Sequence, residues 1–200
     1  SGDLAFSGSA RVSVSADNHL TGLTGTLTSA PGTLIYHDKD QPPLHVARLR
    51  LDAARDPQSG GLLIPALGLD IGGARFDMAG RVLFPGGAER WRLMLEGREA
   101  VLPPLSDAEE ALVIDNLSLE LAGENDGKLL IKRIAASGAG FGVALNGEMG
   151  GRDNPGGLRL GIQTARSDAR AILRFWPAFV TPEPRHYLID HLSAGVLENL

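Results

Sequence analysis

Apolar and polar residues alternate along most of the chain with a period of two. From Ala74 to Phe84 every second residue is apolar or small, and Arg75, Asp77 and Arg81 stand between them. This alternation is typical of a strand with one buried face. Comparable segments, each bounded by Gly, Pro or Asp, recur at 6–15, 21–28, 34–37, 45–53, 63–71, 91–95, 117–121, 129–131, 141–149 and 158–162. The pattern predicts a mainly β chain and excludes an α/β fold.

The turns between these segments are polar and rich in glycine, as at 124–127 and 153–157. Such turns join consecutive strands as antiparallel neighbours, without helical crossovers. Glycines within the strands, for example Gly138, Gly142 and Gly147, mark bulges or bends. We therefore expect a curved antiparallel meander, either a β-groove or an open sandwich of repeated strands, followed by two short C-terminal α-helices.

One segment interrupts the alternation. Residues 99–111 contain Pro103 and Pro104 and three acidic residues, and they have no strand character. We interpret 99–111 as a connecting loop between an antiparallel β region at 1–98 and a second one at 112–166 of the same domain. Residues 167–200 then form two terminal helices and the start of a further strand.

The terminal helices have recognisable start and stop signals. Ser167 is the expected N-cap of the first, with Asp168 in its first turn; Thr181 is the expected cap of the second, before Pro182. Gly195 is the expected C-terminal stop. Several of their larger apolar and aromatic residues are expected to pack onto one end of the sheet: Phe175, Trp176, Tyr187, Leu188 and Leu192.

Composition narrows the classes of function. The net charge is −5 and no basic run occurs, which argues against nucleic acid as a partner. There is no cysteine, so disulfides and thiolate chemistry are excluded. The longest apolar run, 62–69, is far shorter than the roughly 20 residues that span a bilayer. Because the chain begins and ends in strand-like sequence, we expect a piece of a longer protein, with membrane contact through parts outside it.

Residues with catalytic or metal-binding chemistry are sparse. His37, Asp38 and Asp40 precede His45, but they lack a ligand spacing, so a solvated loop is favoured over a metal site. His186 and Asp190 are four residues apart on a predicted helix, which favours a surface pair over an acid–base couple.

Motifs for nucleophilic or nucleotide chemistry are missing as well. No serine lies in a G-x-S-x-G elbow, no phosphate-binding loop is present, and no helix follows the glycines at 138–142. Nothing indicates that the acidic residues of the loop, Asp107, Glu109 and Glu110, are buried enough to act as a general acid. The sequence predicts no catalytic residue, metal or cofactor, and no enzyme activity.

The apolar face of the strands remains as a candidate site, with two interpretations. It either packs against a second sheet as an ordinary core, or stays uncovered as a trough for lipid acyl chains, since few large aromatics are available to fill it. The positions nominated as trough lining are apolar strand residues: Leu49, Leu51, Phe76, Met78, Val82, Leu119, Phe141, Val143 and Leu145.

A more specific pattern lies near the C-terminus, where Trp-Pro is followed by Pro-x-x-Arg-x-aromatic-Leu and by Leu-Ser-x-Gly. The residues that form it are Trp176, Pro177, Pro182, Arg185, Tyr187, Leu188, Leu192, Ser193 and Gly195. This pattern resembles a signature of the AsmA-like family of bacterial envelope proteins, in the YhdP-like branch that carries a DUF3971-type region. Tyr187 stands where that signature commonly has Trp. Strand phrases such as VARLRLDA and NLSLELAG are similar to the family's repeated β units.

The resemblance implies a segment of a long β-groove protein in the periplasm, anchored in the inner membrane. Such a protein shelters the acyl chains of phospholipid on its way to the outer membrane. The implied partners are phospholipid or other lipid acyl chains and neighbouring β repeats of the same longer chain, and the resemblance supplies no catalytic residue.

Two other classes of function stay open. A structural module of the cell envelope would bind proteins by adding strands at its sheet edges. A carbohydrate-active β domain would gather carboxylates and aromatics on one face, for which Trp91, Asp70 and Asp77 are the candidates.

Overall fold

The computed structural model describes residues 3–35, 43–85, 90–152, 157–176 and 182–198. Within these ranges thirteen strands form one antiparallel sheet, and two shorter strands pair separately beside two helices. The strands of the sheet are β1 (Phe6–Val14), β2 (Leu20–Ser29), β3 (Gly32–Leu34), β4 (Leu44–Arg55), β5 (Leu62–Ile71), β6 (Ala74–Leu83), β7 (Trp91–Gly97), β8 (Ala100–Leu102), β9 (Leu112–Ile114), β10 (Asn116–Gly123), β11 (Lys128–Gly138), β12 (Phe141–Gly150) and β13 (Leu158–Thr164). They are followed by β14 (Ser167–Asp168), α1 (Ala169–Leu173), α2 (Pro182–His191) and β15 (Val196–Leu197).

The sheet is an open meander. Its main path runs β1-β2-β4-β5-β6-β7-β10-β11-β12-β13, and β1 and β13 at its two ends do not pair with each other. This confirms the predicted mainly β fold with antiparallel neighbours and two short helices near the C-terminus. At about 4.8 Å between strands, the nine intervals of the path span roughly 43 Å.

The predicted loop at 99–111 is wrong in its first part, because Ala100–Leu102 forms strand β8. β8 pairs with β9 and contacts β6, so it continues β7 after an irregularity at Arg98 and Glu99. Ala100 and Leu102 are both buried, which explains why this short piece is extended. Irregular backbone is confined to 103–111, and strands resume at Leu112 as expected.

The pairing register places residues of one chemical type on one side of the sheet. A row of directly paired positions crosses all ten strands of the main path and contains no charged residue: Gly8, Leu27, Leu51, Leu67, Met78, Gly97, Leu117, Ala136, Val143 and Thr164. Because side chains alternate along each strand, the neighbouring rows on this side are also apolar. We call this side the apolar face and the opposite side the polar face.

Bends in the sheet come from bulges and from glycines on the apolar face. Register shifts occur in five of the strand pairs. A Cβ built at Gly80 would overlap the carbonyl oxygen of Met94 on β7, and one at Gly147 would overlap that of Arg159 on β13. The neighbouring strand therefore leans over the apolar face at both points, and only glycine leaves room for that approach.

The hydrophobic core lies at one end of the apolar face. Its fully buried members come from β8, β9, β11, β12 and α1: Ala100, Leu102, Ile114, Ala136, Phe141, Val143 and Ala171. The rings of Phe141 and Phe175 are 5.5 Å apart at an interplanar angle of 41°, so the residue that follows α1 packs directly onto β12. The terminal helices therefore meet the sheet at this end, although not with all the residues expected.

Three expectations for the terminal helices are wrong. Asp168 is the N-cap of α1, and Ser167 is buried instead, with its hydroxyl bonded to Gly142 and Ala165. Gly195 is no helix stop: α2 ends at His191, and the Gly195 carbonyl accepts a hydrogen bond from the Ala169 amide.

Tyr187 does not pack onto the sheet, because the residue is 62% exposed and its ring stacks on His191 of the same helix. Leu188 and Leu192 are half-buried. The predicted cap Thr181 and the motif residue Pro177 lie outside the described residues.

Candidate functional site

The nine nominated lining residues share the apolar face. Leu49 and Leu51 on β4 reach Phe76 and Met78 on β6 through their common partners on β5. Val82 is on the same face of β6, and the remaining four follow on β10 and β12: Leu119, Phe141, Val143 and Leu145. Alternation alone assigned them to one side of their strands, and the register brings them into one surface.

These nine residues divide into three groups by burial and contact with the core. Phe141 and Val143 belong to the closed core under α1, so for them the ordinary-core interpretation holds. Phe76 is half-buried and packs against that core. The other six are half-buried away from it: Leu49, Leu51, Met78, Val82, Leu119 and Leu145.

The apolar face becomes more exposed toward both edges of the sheet. One row runs from Leu95, which is 3% exposed, through Leu119, Ile134 and Leu145 to Ile162, which is 54% exposed. Other apolar side chains at the edges are exposed as well: Phe6, Val12 and Val14 on β1, Met149 on β12, and Leu158 and Leu160 on β13. Sequence reasoning did not nominate these edge residues, although they show the same alternation.

One large hollow lies mainly on the polar face, although seven residues of the uncharged ten-strand row also border it. It has a volume of about 1230 Å³ and is lined largely by polar-face residues, among them Glu96, Ser118, Ala135, Ala144 and Gln163. Of the nine nominated residues only Met78 and Val143 border it. The apolar face is thus a broad, partly exposed surface and not a deep pocket.

The polar face carries ion pairs between neighbouring strands. The Arg48 guanidinium bonds the carboxylates of Asp70 at 3.1 Å and Asp77 at 2.9 Å, and these partners raise the pKa of Arg48. The Thr26 hydroxyl and, next, Arg50 lower the pKa of Asp52. Such exposed pairs are typical of a solvated sheet surface.

The proposed sugar-binding cluster of Trp91, Asp70 and Asp77 is not formed. Trp91 is paired with Gly123 in an apolar-face row, whereas Asp70 and Asp77 bind Arg48 on the polar face. An aromatic platform and two carboxylates on opposite sides of a sheet do not make a single site.

A partly buried ion cluster escaped the sequence reasoning. Glu109 accepts hydrogen bonds from Arg170, from Arg174 at 2.9 Å and from the Leu105 amide at 3.2 Å. Burial raises the pKa of Glu109, but the Leu105 amide and the two arginines outweigh burial, so its pKa is lower than usual. Glu109 is partly buried, and its lowered pKa suits an ion pair and not a general acid, in agreement with the expectation that this loop holds no general acid.

No group of three or more His, Asp or Glu side chains that could hold a metal ion occurs in the described ranges. His45 lies within the described residues, whereas residues 37–40 lie outside them. Within those ranges, none of the helices has the length and apolar character needed to cross a bilayer.

The C-terminal motif is partly visible as a structural unit. The Arg185 guanidinium on α2 donates to the Trp176 carbonyl oxygen at 2.9 Å, which joins two residues of the motif across the link between the helices. No family model, curated protein or solved structure matches the chain. The likeness to the AsmA-like family therefore rests on the motif and the strand phrases.

Proposed function

We propose that this chain shelters lipid acyl chains on its apolar face. The observation that carries the proposal is the uncharged row that crosses ten strands; among the described residues, the core packed under α1 lies at one end of it, and apolar side chains toward the sheet edges are exposed. Contiguous apolar surfaces larger than a few hundred Å² are rare on soluble monomers and mark sites of interaction. A row of aliphatic side chains without charge suits hydrocarbon.

The chemistry of the apolar face also limits selectivity between lipid head groups. Burial of hydrocarbon contributes about 25 cal/mol per Å² and has no preferred direction. The apolar face offers no charged group along the ten-strand row, so a lipid head group would remain in solvent beyond the edges. We therefore expect binding to depend on the acyl chains and to vary little with the head group.

The setting of this activity is proposed from the terminal motif. Its resemblance to AsmA-like proteins supports a segment of a periplasmic, inner-membrane-anchored protein that takes part in phospholipid transport between the inner and outer membranes. Neighbouring β repeats of the same longer chain would extend the apolar face, and the chain itself would carry no enzyme activity.

A second candidate is a structural module that binds protein strands. The two outer strands favour it, because among the described strands β1 pairs only with β2, and β13 pairs only with β12. Unpaired strand edges attract further strands. In that case a partner would bind through backbone hydrogen bonds at an edge, and substitutions on the apolar face would have little effect.

Two double variants of β13 separate these candidates. Leu160→Asn with Ile162→Asn changes two exposed apolar-face residues, and Arg159→Asn with Gln163→Asn changes two exposed polar-face residues of the same strand. Native mass spectrometry with added phosphatidylethanolamine or phosphatidylglycerol measures bound lipid. We expect at least tenfold weaker binding for the first variant and unchanged binding for the second. Failure of the unaltered chain to bind either lipid would rule out the proposal.

A further inference from the structure

The apolar face ends at a wall built by the last part of the chain. We use the name end wall for residues 167–176 and 182–198, which contain β14, α1, α2 and β15. α1 packs Ala171, Ile172 and the following Phe175 against the core formed with β11 and β12. Phe141 and Val143 lie beneath this wall and are buried, whereas the other nominated lining residues are half-buried.

The end wall has little intrinsic stability. α1 has five residues, far fewer than the 12–15 that an isolated helix needs to be even marginally stable in water. α2 is mostly polar, and its aromatic residue Tyr187 faces solvent. Both helices therefore depend on contacts with the rest of the chain for their position.

A single carboxylate provides the central contact. We call Glu109, Arg170 and Arg174 the ionic clasp; all three side chains are less than one-fifth exposed. Arg170 also donates to the carbonyl oxygens of Ile189 at 3.0 Å and Leu192 at 2.6 Å, at the end of α2. Arg174 donates to the Glu110 carbonyl oxygen at 2.8 Å. The clasp thus ties the loop at 103–111 to both helices.

We propose that the end wall sets the point at which an acyl chain bound on the apolar face must stop, and that the ionic clasp keeps this wall closed. The inference rests on the proposed function. The apolar row continues beneath the wall through Ala136 and Val143, so hydrocarbon would extend along it if the wall moved away. Removing the Glu109 carboxylate would leave the charges of Arg170 and Arg174 without their partner inside the protein. The position of the end wall should therefore depend strongly on this one residue.

The first test measures closure without lipid. Glu109→Gln keeps the size of the side chain and removes its charge, and Asp107→Asn makes the same change at an exposed residue of the same loop. Hydrogen exchange followed by mass spectrometry should show at least tenfold faster exchange at 167–176 in Glu109→Gln, with β10 unchanged and with no effect of Asp107→Asn. Phe175→Ala, which removes the ring contact with Phe141, should loosen the same residues independently. Unchanged exchange at 167–176 in Glu109→Gln, when Phe175→Ala loosens the same residues, would overturn the clasp.

The second test locates the end of the acyl chain. A phosphatidylcholine with a diazirine at the terminal carbon of one acyl chain is photolysed with each protein, and the labelled residues are identified by mass spectrometry. In the unaltered chain we expect labels on the row of Leu119 and Leu145 and none on Phe141 or Val143. In Glu109→Gln the labels should advance to Phe141 and Val143.

Three results would count against these ideas in different ways. Labels on Phe141 and Val143 in the unaltered chain would overturn the end wall while supporting lipid binding. Faster exchange in Glu109→Gln without any advance of the labels would also overturn it. No labelled apolar-face residue in any protein would instead refute the proposed function, on which the wall depends.

Discussion

The apolar face has a covered part and an exposed part, and strand β12 belongs to both. Phe141 at its start is 5% exposed, whereas Met149 at its end, on the same face, is 46% exposed. The alternation of apolar residues is the same at both ends of the strand. What differs is the cover: α1 and the strands β8 and β9 lie over the first, and no described residue packs over the second as a core. Core and exposed surface are therefore made by the same sequence pattern, and distant segments decide between them.

The largest expected effect is a difference in how much unfolding free energy is lost when a side chain is truncated in the closed part or in the open part. Ile114→Ala at the closed end removes a side chain that is fully buried, and it should cost about 2–5 kcal/mol of unfolding free energy. Ile162→Ala on the open part should change it by about 0.5 kcal/mol or less. Urea unfolding followed by circular dichroism measures both. Equal losses would mean that the open part is covered in solution.

The next prediction concerns the bend of the sheet. Gly80→Ala places a Cβ against the backbone of β7 and should cost about 1–3 kcal/mol, as overpacked substitutions do. Gly142→Ala is the matched control, because its Cβ would meet only the Ala165 side chain at ordinary contact distance. The same unfolding experiment applies. A neutral Gly80→Ala would show that β6 and β7 are farther apart than described.

The ionic clasp predicts a dependence on pH that is specific to the closed end. Because the folded pKa of Glu109 is below its ordinary value near 4.5, its contribution to stability is complete above that value and is lost as the pH falls through the lowered pKa. Charged hydrogen bonds of this kind contribute about 1.5–3 kcal/mol. The stability gap between the unaltered chain and Glu109→Gln should be largest at pH 7 and narrow in acid. A gap that widens in acid would contradict this account.

The smallest effect is expected on the polar face. Arg48→Met removes two ion pairs of side chains that are 30–60% exposed, and it should cost less than about 1 kcal/mol. Raising the salt concentration should reduce even that difference, since exposed pairs are screened. Thermal unfolding at low and high salt tests this. A larger, salt-independent loss would indicate that the polar face is covered.

The limits of prediction from the sequence follow from the range of the interactions. Alternation is a local property, and it placed Leu119 and Leu145 on the correct side of their strands without any knowledge of the fold. The buried strand at Ala100–Leu102 was missed because two prolines follow it and only its contacts with β6 and β9 keep it extended.

Contacts between residues far apart in the sequence leave even less trace in the local sequence pattern. Glu109 is 61 and 65 residues from its arginine partners, so nothing near it in the sequence indicates an ion pair. Ser167 had the right chemistry for a helix cap, but its hydroxyl bonds the Gly142 backbone on the neighbouring strand instead. In both cases a contact between distant parts of the chain outweighed the local preference.

The most direct test of lipid sheltering compares two adjacent residues on opposite faces. Leu119 lies on the apolar face of β10 and Ser118 on its polar face. A photoreactive benzoylphenylalanine is introduced at either position, and each protein is irradiated with vesicle-derived radiolabelled phospholipid. The account predicts strong lipid crosslinking from position 119 and background levels from position 118. Equal crosslinking from both positions, or none from 119 in a folded protein, would contradict it.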